Sequence, residues 1–385
     1  MKSKWLYRVS ITIFFFAVSI YSYAQNLEDN EANNKRVENF GNALEMSIYD
    51  ENSEAYLALF SIEDFRAKLE DEGSNNSQYR KGFIQGVVGA VSKLPERIIE
   101  DTKDGYYDFV NYYYNSDDQN YHVLFRLYNP LGGINYHDYV LVQGSDSENL
   151  LFSDMYIYLS GENFSDTLKR LFKASLSTNK KSTNKEFSKL LKVIASYNSG
   201  NIEQSLSYAD NIQGPLAKDK FFMIYKSIIA SQSSEDAYLE SLKNLVTVHN
   251  DDPTINLNKI DYYLYVEEYA NAKVAIEQLM EETQDDFLHL LLGNLSMEQN
   301  KFTEAQNSFK YIIDNYEGFF TGQISYFTAL VSNENLKEAI EYLETLTLEY
   351  DKNDLVDYIE EPEADGSNIY DDFIKTKYYK EWKEL

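Results

Sequence analysis

The side chains best suited to acid–base chemistry in this 385-residue chain lie in two neighbouring segments of its first half. His122 and Arg126 stand in one segment, and Tyr136, His137 and Asp138 are consecutive in the next. Histidine and aspartate that share a pocket can act as base and acid. His137 and Asp138 should not pair with each other, because adjacent side chains of a strand project to opposite faces.

Two interpretations of these residues remain open. In the first, His122, Arg126, Tyr136 and Asp138 line a pocket on a sheet and act on a small molecule. In the second, which we favour, the sheet is rich in tyrosine, and Arg126 pairs with Asp138 or with tyrosine hydroxyls in a structural role.

Other catalytic and metal-binding patterns are missing from the sequence. The chain has four histidines and no cysteine, which excludes thiol catalysis, cysteine metal sites and disulfides. No two histidines have the i, i+4 spacing of a helical metal site, and no phosphate-binding or nucleophile-elbow motif occurs. The acidic clusters do not match the alternating oxygen ligands of a calcium loop. The sequence therefore predicts no enzyme activity, no cofactor and no metal ion.

The charge balance restricts the partners. The chain has 35 Lys and Arg against 63 Asp and Glu, a formal net charge of −28. Such a field repels phosphate backbones and anionic lipid surfaces. Nucleic acid is therefore not expected as a partner.

The first 24 residues have the layout of a secretory signal peptide. Lys2, Lys4 and Arg8 precede an apolar run over residues 11–18, and small residues lead to Ala24. The apolar run is too short to span a bilayer, which takes about 20 helical residues. We expect cleavage after Ala24, no transmembrane segment in the mature chain, and a periplasmic or secreted location.

Helices and strands together should position the candidate residues of the sheet. Apolar spacing predicts helices over residues 31–48, 53–60 and 78–99. Four runs rich in Tyr, Phe and Val, separated by turn sequences, predict strands; they cover residues 106–114, 121–128, 134–142 and 150–159. A closing helix should follow over residues 165–172. Residues 25–174 should thus form an α+β domain, with helices on one face of a curved antiparallel sheet.

The second strand can be interpreted face by face, since strand side chains alternate. We expect one set to face the helices and the other set to line a shallow pocket or meet solvent. The first set is Tyr121, Val123, Phe125 and Leu127, and the second is His122, Leu124, Arg126 and Tyr128. The element order is similar to the nuclear-transport-factor-2-like or cystatin-like superfold.

The second half of the chain contains a repeated sequence pattern. Ala272, Ala305 and Ala339 are spaced by 33 and 34 residues, the period of stacked helical hairpins. In the repeat around Ala305, which matches the pattern best, Gly293 precedes and Phe309 follows the alanine. Small residues there let two helices approach, and aromatic rings fill the gap between neighbouring hairpins. This half resembles the tetratricopeptide-repeat family. We expect a polar linker at residues 175–185, about five hairpins over residues 186–354 forming an all-α solenoid, and a capping segment over residues 355–385.

The resemblance implies a binding groove lined by the first helix of each hairpin. Counting from the alanines as the twentieth repeat position assigns fifteen groove residues. They are Thr254, Leu257, Asp261, Leu264 and Tyr265 in one unit, Phe287, Leu290, Asn294, Met297 and Glu298 in the next, and Thr321, Ile324, Thr328, Val331 and Ser332 in the third.

The charges of this groove indicate the kind of partner. Asp261 and Glu298 are its only charged side chains, so a protein or peptide segment that is neutral or basic should suit it. The sequence therefore favours an exported, non-enzymatic scaffold for protein–protein interaction. The alternative is a small-molecule-binding or hydrolytic sheet domain whose repeats serve oligomerisation or recruitment.

Overall fold

The computed structural model describes residues 27–69, 78–130, 133–144, 146, 149–176, 181–362 and 366–384. The predicted signal peptide lies outside these residues. Within them, helices come first, then a sheet, then a long series of helices.

Five helices precede the sheet: α1 Glu31–Tyr49, α2 Ser53–Ala58, α3 Ile62–Leu69, α4 Gln78–Val91 and α5 Leu94–Asp101. The sequence prediction needs two corrections here. The single helix expected over residues 78–99 is two helices, because the chain turns before Pro95, which occupies the first turn of α5. The helix α3 was not predicted, because its eight residues give only a short apolar period.

The sheet is an antiparallel meander with the strand order β1-β2-β3-β4-β5. Its strands are β1 Tyr106–Asn115, β2 Asn120–Asn129, β3 Gly133–Gln143, β4 Leu150–Ile157 and the short β5 Glu162–Asn163, and α6 Phe164–Leu176 follows. Four predicted strands are confirmed, and β5 was missed because it has only two residues.

One face of the sheet packs on the N-terminal helices, as predicted for β2. Tyr121, Val123 and Phe125 are buried with Val37 and Leu44 of α1, and Leu127 packs against the same cluster. Burial of these large side chains is the main stabilisation of this half of the molecule.

Ten consecutive helices follow in antiparallel pairs. They are α7 Lys181–Asn198, α8 Ile202–Asp210, α9 Lys220–Ser231, α10 Glu235–Val248, α11 Asn256–Tyr265, α12 Tyr269–Thr283, α13 His289–Glu298, α14 Phe302–Asn315, α15 Phe320–Ser332 and α16 Leu336–Leu346. Ala272, Ala305 and Ala339 are fully buried in the second helix of three pairs. The predicted fold class, an α+β half followed by an all-α array, is confirmed.

The boundary between the halves is narrower than the sequence predicted. Helix α6 extends to Leu176 and α7 starts at Lys181, so both helices reach into the expected linker at residues 175–185. At the other end, α17 Lys352–Glu360, α18 Asp371–Ile374 and α19 Lys377–Glu384 pack on the last pair.

Candidate binding site

The second face of the sheet is covered by the helical array. His122, Leu124, Arg126 and Tyr128 are each no more than 6% exposed. Leu124 shares a core cluster with Ile260 and Leu288 of the array. The expectation that this face meets solvent is therefore wrong for these four residues, because loops and helix starts of the array pack on it. A contact between segments so far apart in the chain leaves no local pattern in the sequence.

Arg126 is the centre of the contact between the two halves. Its Nη1 donates to Asp285 at 2.8 Å, and its Nη2 donates to Asp108 at 2.6 Å. Its guanidinium lies 3.8 Å from the ring centroid of Phe287. Burial alone would lower the pKa of Arg126, but the charges of Asp285 and Asp108 raise it. The guanidinium is therefore a permanent positive charge at the junction.

The predicted pairing of Arg126 with Asp138 is wrong. Asp285 replaces it, 159 residues along the chain, from the segment that joins α12 to α13. Tyr136 belongs to the same network, because its hydroxyl donates to Asp285 Oδ2 at 2.8 Å. The predicted tyrosine hydroxyl partner therefore reaches Arg126 only through the carboxylate that both residues share.

Asp138 belongs to a different network on the same face. His122 Nδ1 lies 3.0 Å from Asp138 and His122 Nε2 lies 2.9 Å from Asp118. The Tyr113 hydroxyl donates to Asp138 at 2.6 Å. Burial lowers the pKa of His122, but hydrogen bonds and charges of both carboxylates outweigh it and raise the pKa. Both ring nitrogens are engaged, so neither is open to a substrate proton. The four sheet-pocket residues thus divide between two closed networks.

His137 faces the N-terminal helices, as the alternation of strand side chains predicts. Its Nδ1 lies 2.9 Å from the Tyr107 hydroxyl, which lies 2.5 Å from the Tyr139 hydroxyl. Burial lowers the pKa of His137 to about 4. The imidazole is therefore neutral near pH 7, and its hydrogen bonds link strands inside the core.

Beside Arg126 the junction opens into a cleft of about 500 Å³. Sheet residues such as Tyr106 and Asp108 form one wall, and array residues such as Asp286, Tyr316 and Glu317 form the other. Asp286 accepts hydrogen bonds from the hydroxyls of Tyr311 and Tyr316. Burial raises the pKa of Asp286, but these two hydrogen bonds lower it overall. The cleft, which no sequence pattern predicted, is therefore aromatic and negatively charged.

The chain itself covers much of the predicted groove. Phe287 and Leu290 are buried in a cluster with Tyr128 of the sheet. Thr254 accepts from Lys220 at 2.6 Å, beside the turn that holds Gly161. Leu257 and Leu264 pack on the cluster that holds Leu124 and Tyr136 of the sheet, and Met297 packs on the cluster that holds Tyr128. Thr321 forms a hydrogen bond with Tyr128. The cluster that holds the C-terminal aromatic residues includes Ile324 and packs against Val331, and the Thr328 hydroxyl lies 2.7 Å from that of Tyr370.

Four positions on the first helices α11 and α13 remain accessible. Tyr265 is 41% exposed, and Asp261, Asn294 and Glu298 are exposed. Met297 and Ser332 are half-buried. The structure thus separates covered positions, which pack on the sheet or the C-terminal segment, from an open row formed by Asp261, Tyr265, Asn294 and Glu298 on α11 and α13.

Comparison with known proteins adds no assignment: no protein-family model and no curated sequence matches this chain significantly. In the part of the chain that the structure describes, no helix combines the length and the apolar character needed to cross a bilayer.

Proposed function

We propose that this protein is an exported, non-enzymatic scaffold that holds a protein or peptide segment on its helical array. The array resembles tetratricopeptide repeats in period, in antiparallel pairing and in the buried small residue of each second helix. The alternative of a hydrolytic or small-molecule-binding sheet of the nuclear-transport-factor-2-like type is less well supported, since His122 has both ring nitrogens on carboxylates and His137 is buried.

The observation that carries this proposal is the open row on the first helices of successive pairs. Tyr265 on α11 and Asn294 and Glu298 on α13 are exposed. An aromatic ring, an amide and a carboxylate provide apolar contact, hydrogen bonding and charge on adjacent repeats. No lysine or arginine occurs among the fifteen predicted positions, so a neutral or basic segment fits them.

The experiment is capture of partners from an envelope extract by the purified protein, with cross-linking and mass spectrometry. Changing Tyr265, Asn294 and Glu298 together to alanine should weaken capture about tenfold or more, because exposed aromatic anchors dominate such interfaces. The thermal midpoint should change little, since the three side chains are exposed.

A matched control replaces the same residue types elsewhere. Tyr378→Ala, Asn307→Ala and Glu304→Ala lie on α19 and α14 and are also exposed. This control should capture the same partners as the unaltered protein. Equal capture by both triple variants would reject the open row as the binding surface.

The proposed export has its own measurement. N-terminal sequencing of the protein from the periplasm or medium should give Gln25 as the first residue. An intact Met1 on a membrane-bound form would contradict this.

A further inference from the structure

We propose that the cleft between sheet and array binds one cationic side chain, lysine or arginine, of an extended basic peptide. This inference rests on the proposed function and names the chemistry of the segment that the scaffold holds. Its first support is charge: Asp108, Asp285, Asp286 and Glu317 line the cleft against the single guanidinium of Arg126. The cleft therefore keeps an excess of negative charge after Arg126 has been neutralised.

The second support is that this environment already holds a guanidinium. Arg126 lies 3.8 Å from the ring centroid of Phe287 and 5.3 Å from that of Tyr316, while two carboxylates accept its hydrogen bonds. Aromatic faces next to carboxylates are the surroundings that favour ammonium and guanidinium groups. Tyr106 and Phe319, whose ring centroids are 5.6 Å apart, extend the same type of wall along the cleft.

The third support is an unsatisfied donor. Arg126 is 3% exposed, and its Nε has no hydrogen-bond partner in the described part of the chain. A buried N–H without an acceptor costs free energy, so an acceptor that reaches Nε, once the side chains covering it shift, gains by pairing with it. A peptide has such an acceptor, a backbone carbonyl, next to every side chain. A peptide therefore suits the cleft better than a free amine, which supplies a cation alone.

The four carboxylates of the cleft differ in the contacts that they already make. Asp285 and Asp108 pair with Arg126, and Asp286 accepts from two tyrosine hydroxyls. Glu317 is exposed at the rim, with no ion pair in the described residues. Glu317 is therefore the carboxylate most able to pair with a ligand cation without breaking an existing contact.

The size of the cleft agrees with such a ligand. A volume of about 500 Å³ is within the range of small-molecule pockets and admits a long side chain with part of its flanking backbone. The bulk of the peptide would then continue over the surface of the array.

The test uses three tripeptides with blocked, uncharged termini, acetyl-Leu-X-Leu-amide, in which X is arginine, norleucine or glutamate. Calorimetry with the purified protein at low salt should give binding of the arginine peptide about tenfold tighter than the norleucine peptide, and none with glutamate. Added salt should reduce this preference, because the rim charge is screened. Arginine amide alone should bind more weakly than the arginine peptide, since it lacks the flanking residues.

The decisive variant is Glu317→Lys, which reverses charge at an exposed position and leaves the packed core untouched. It should weaken the arginine peptide about fivefold or more and leave the norleucine peptide unchanged. Glu240→Lys on α10 makes the same charge change at an exposed residue that does not line the cleft, and should have at most a small effect.

Equal affinity for the arginine and norleucine peptides, or equal effects of the two lysine variants, would overturn the inference. Failure of this inference can be distinguished from failure of the proposed function. If partner capture still depends on Tyr265, Asn294 and Glu298 while no peptide binds the cleft, the scaffold stands and the cleft is not its cation site.

Discussion

Arg126 illustrates how one side chain can join two halves of a molecule. A buried charge is tolerated only when it is paired and hydrogen-bonded, and removal of one partner from a buried pair typically costs about 3–5 kcal/mol. Asp108 of β1 and Asp285 of the array share this role. The sheet and the array therefore hold each other in a fixed orientation, because separating them would leave the guanidinium without Asp285.

His137 lies on the neighbouring strand β3 and faces the opposite side of the sheet from Arg126; unlike Arg126, it is uncharged near pH 7. Asn135 Oδ1 accepts from the backbone N–H groups of Tyr136 and Leu159, so its amide nitrogen faces His137 Nε2 at 3.3 Å. Nε2 must then accept, and Nδ1 carries the proton toward Tyr107. A second proton on Nε2 would meet a donor.

This arrangement predicts acid sensitivity. The pKa of His137 is about 4 in the folded chain, against 6.5 as the ordinary value. Between these values the unfolded chain binds a proton that the folded chain does not, so the free energy of unfolding falls as pH falls through this window. The loss should reach on the order of 3 kcal/mol below pH 4. Replacement of His137 by Gln should flatten the pH dependence of denaturant unfolding between pH 6.5 and 4.

The control for this measurement is His249→Gln, at a half-buried histidine whose ring Nε2 lies 3.1 Å from the Lys218 backbone carbonyl. It should leave the slope of stability against pH as in the unaltered protein. The prediction would be contradicted if both variants kept that slope.

At the scale of elements, close packing inside a hairpin depends on a residue without a side chain. A Cβ built on Gly293 of α13 would lie 2.4 Å from Phe309 of α14. Phe309 is fully buried, so its ring has little room to move. The sequence pattern of a small residue and an aromatic residue thus corresponds to direct contact between the paired helices.

Gly293→Ala should therefore destabilise the protein by about 1 kcal/mol or more, because overpacking a tight core exceeds the gain in helix propensity. Gly86→Ala is the matched control, since Gly86 is an exposed position of α4 with no atom within 4 Å of the added Cβ. There the same change should stabilise by about 0.5 kcal/mol or more. Denaturant unfolding of both variants checks the opposite signs.

Local structure also protects the edge strand β1 from pairing with another chain. Glu45 of α1 accepts from the backbone N–H of Phe109 at 2.7 Å, next to a register shift between Phe109 and Asn111. A side-chain cap and a bulge reduce the tendency of an edge strand to pair with another chain. Helix α1 thus shields the edge of the sheet as well as covering one face.

At the scale of the whole molecule, the sheet is a layer between two sets of helices. The N-terminal helices bury its one face, and the array and its connecting loops bury the other. Asn111 also donates to the Thr283 carbonyl of α12 at 2.7 Å. The sequence suggests two halves joined by a linker, and the structure adds a shared core between them.

The shared core changes what proteolysis should produce. Trypsin is expected to cut at the lysines of residues 175–185, where the helices α6 and α7 end and begin. Because Leu124 and Tyr136 share a buried cluster with Ile260 and Leu288, the two fragments should stay together in native buffer and separate only in denaturant. Size-exclusion chromatography of the cut protein measures this. Two separate native peaks, or a first cut within residues 121–142, would contradict it.

The sequence by itself determined the class of each half and most of its elements, but not the short α3 and β5. Alternating aromatic and apolar residues defined the strands, including which side of β2 faces α1, because alternation is a local property of extended backbone. The recurring alanines defined the paired helices, because small residues at a fixed period are needed wherever successive hairpins pack alike. These signals lie within a few residues or within one repeat.

Tertiary structure alone decided the partners of the charged residues and the position of the cleft. Asp285 lies 159 residues from Arg126, and no spacing rule connects a strand residue with a loop between two helices of a distant pair. For the same reason, the sequence assigned a continuous groove to the first helices, whereas the sheet and the C-terminal helices cover part of it. The sequence of one repeat identifies which residues belong to the groove. Whether those residues are accessible depends on which other parts of the molecule pack against them.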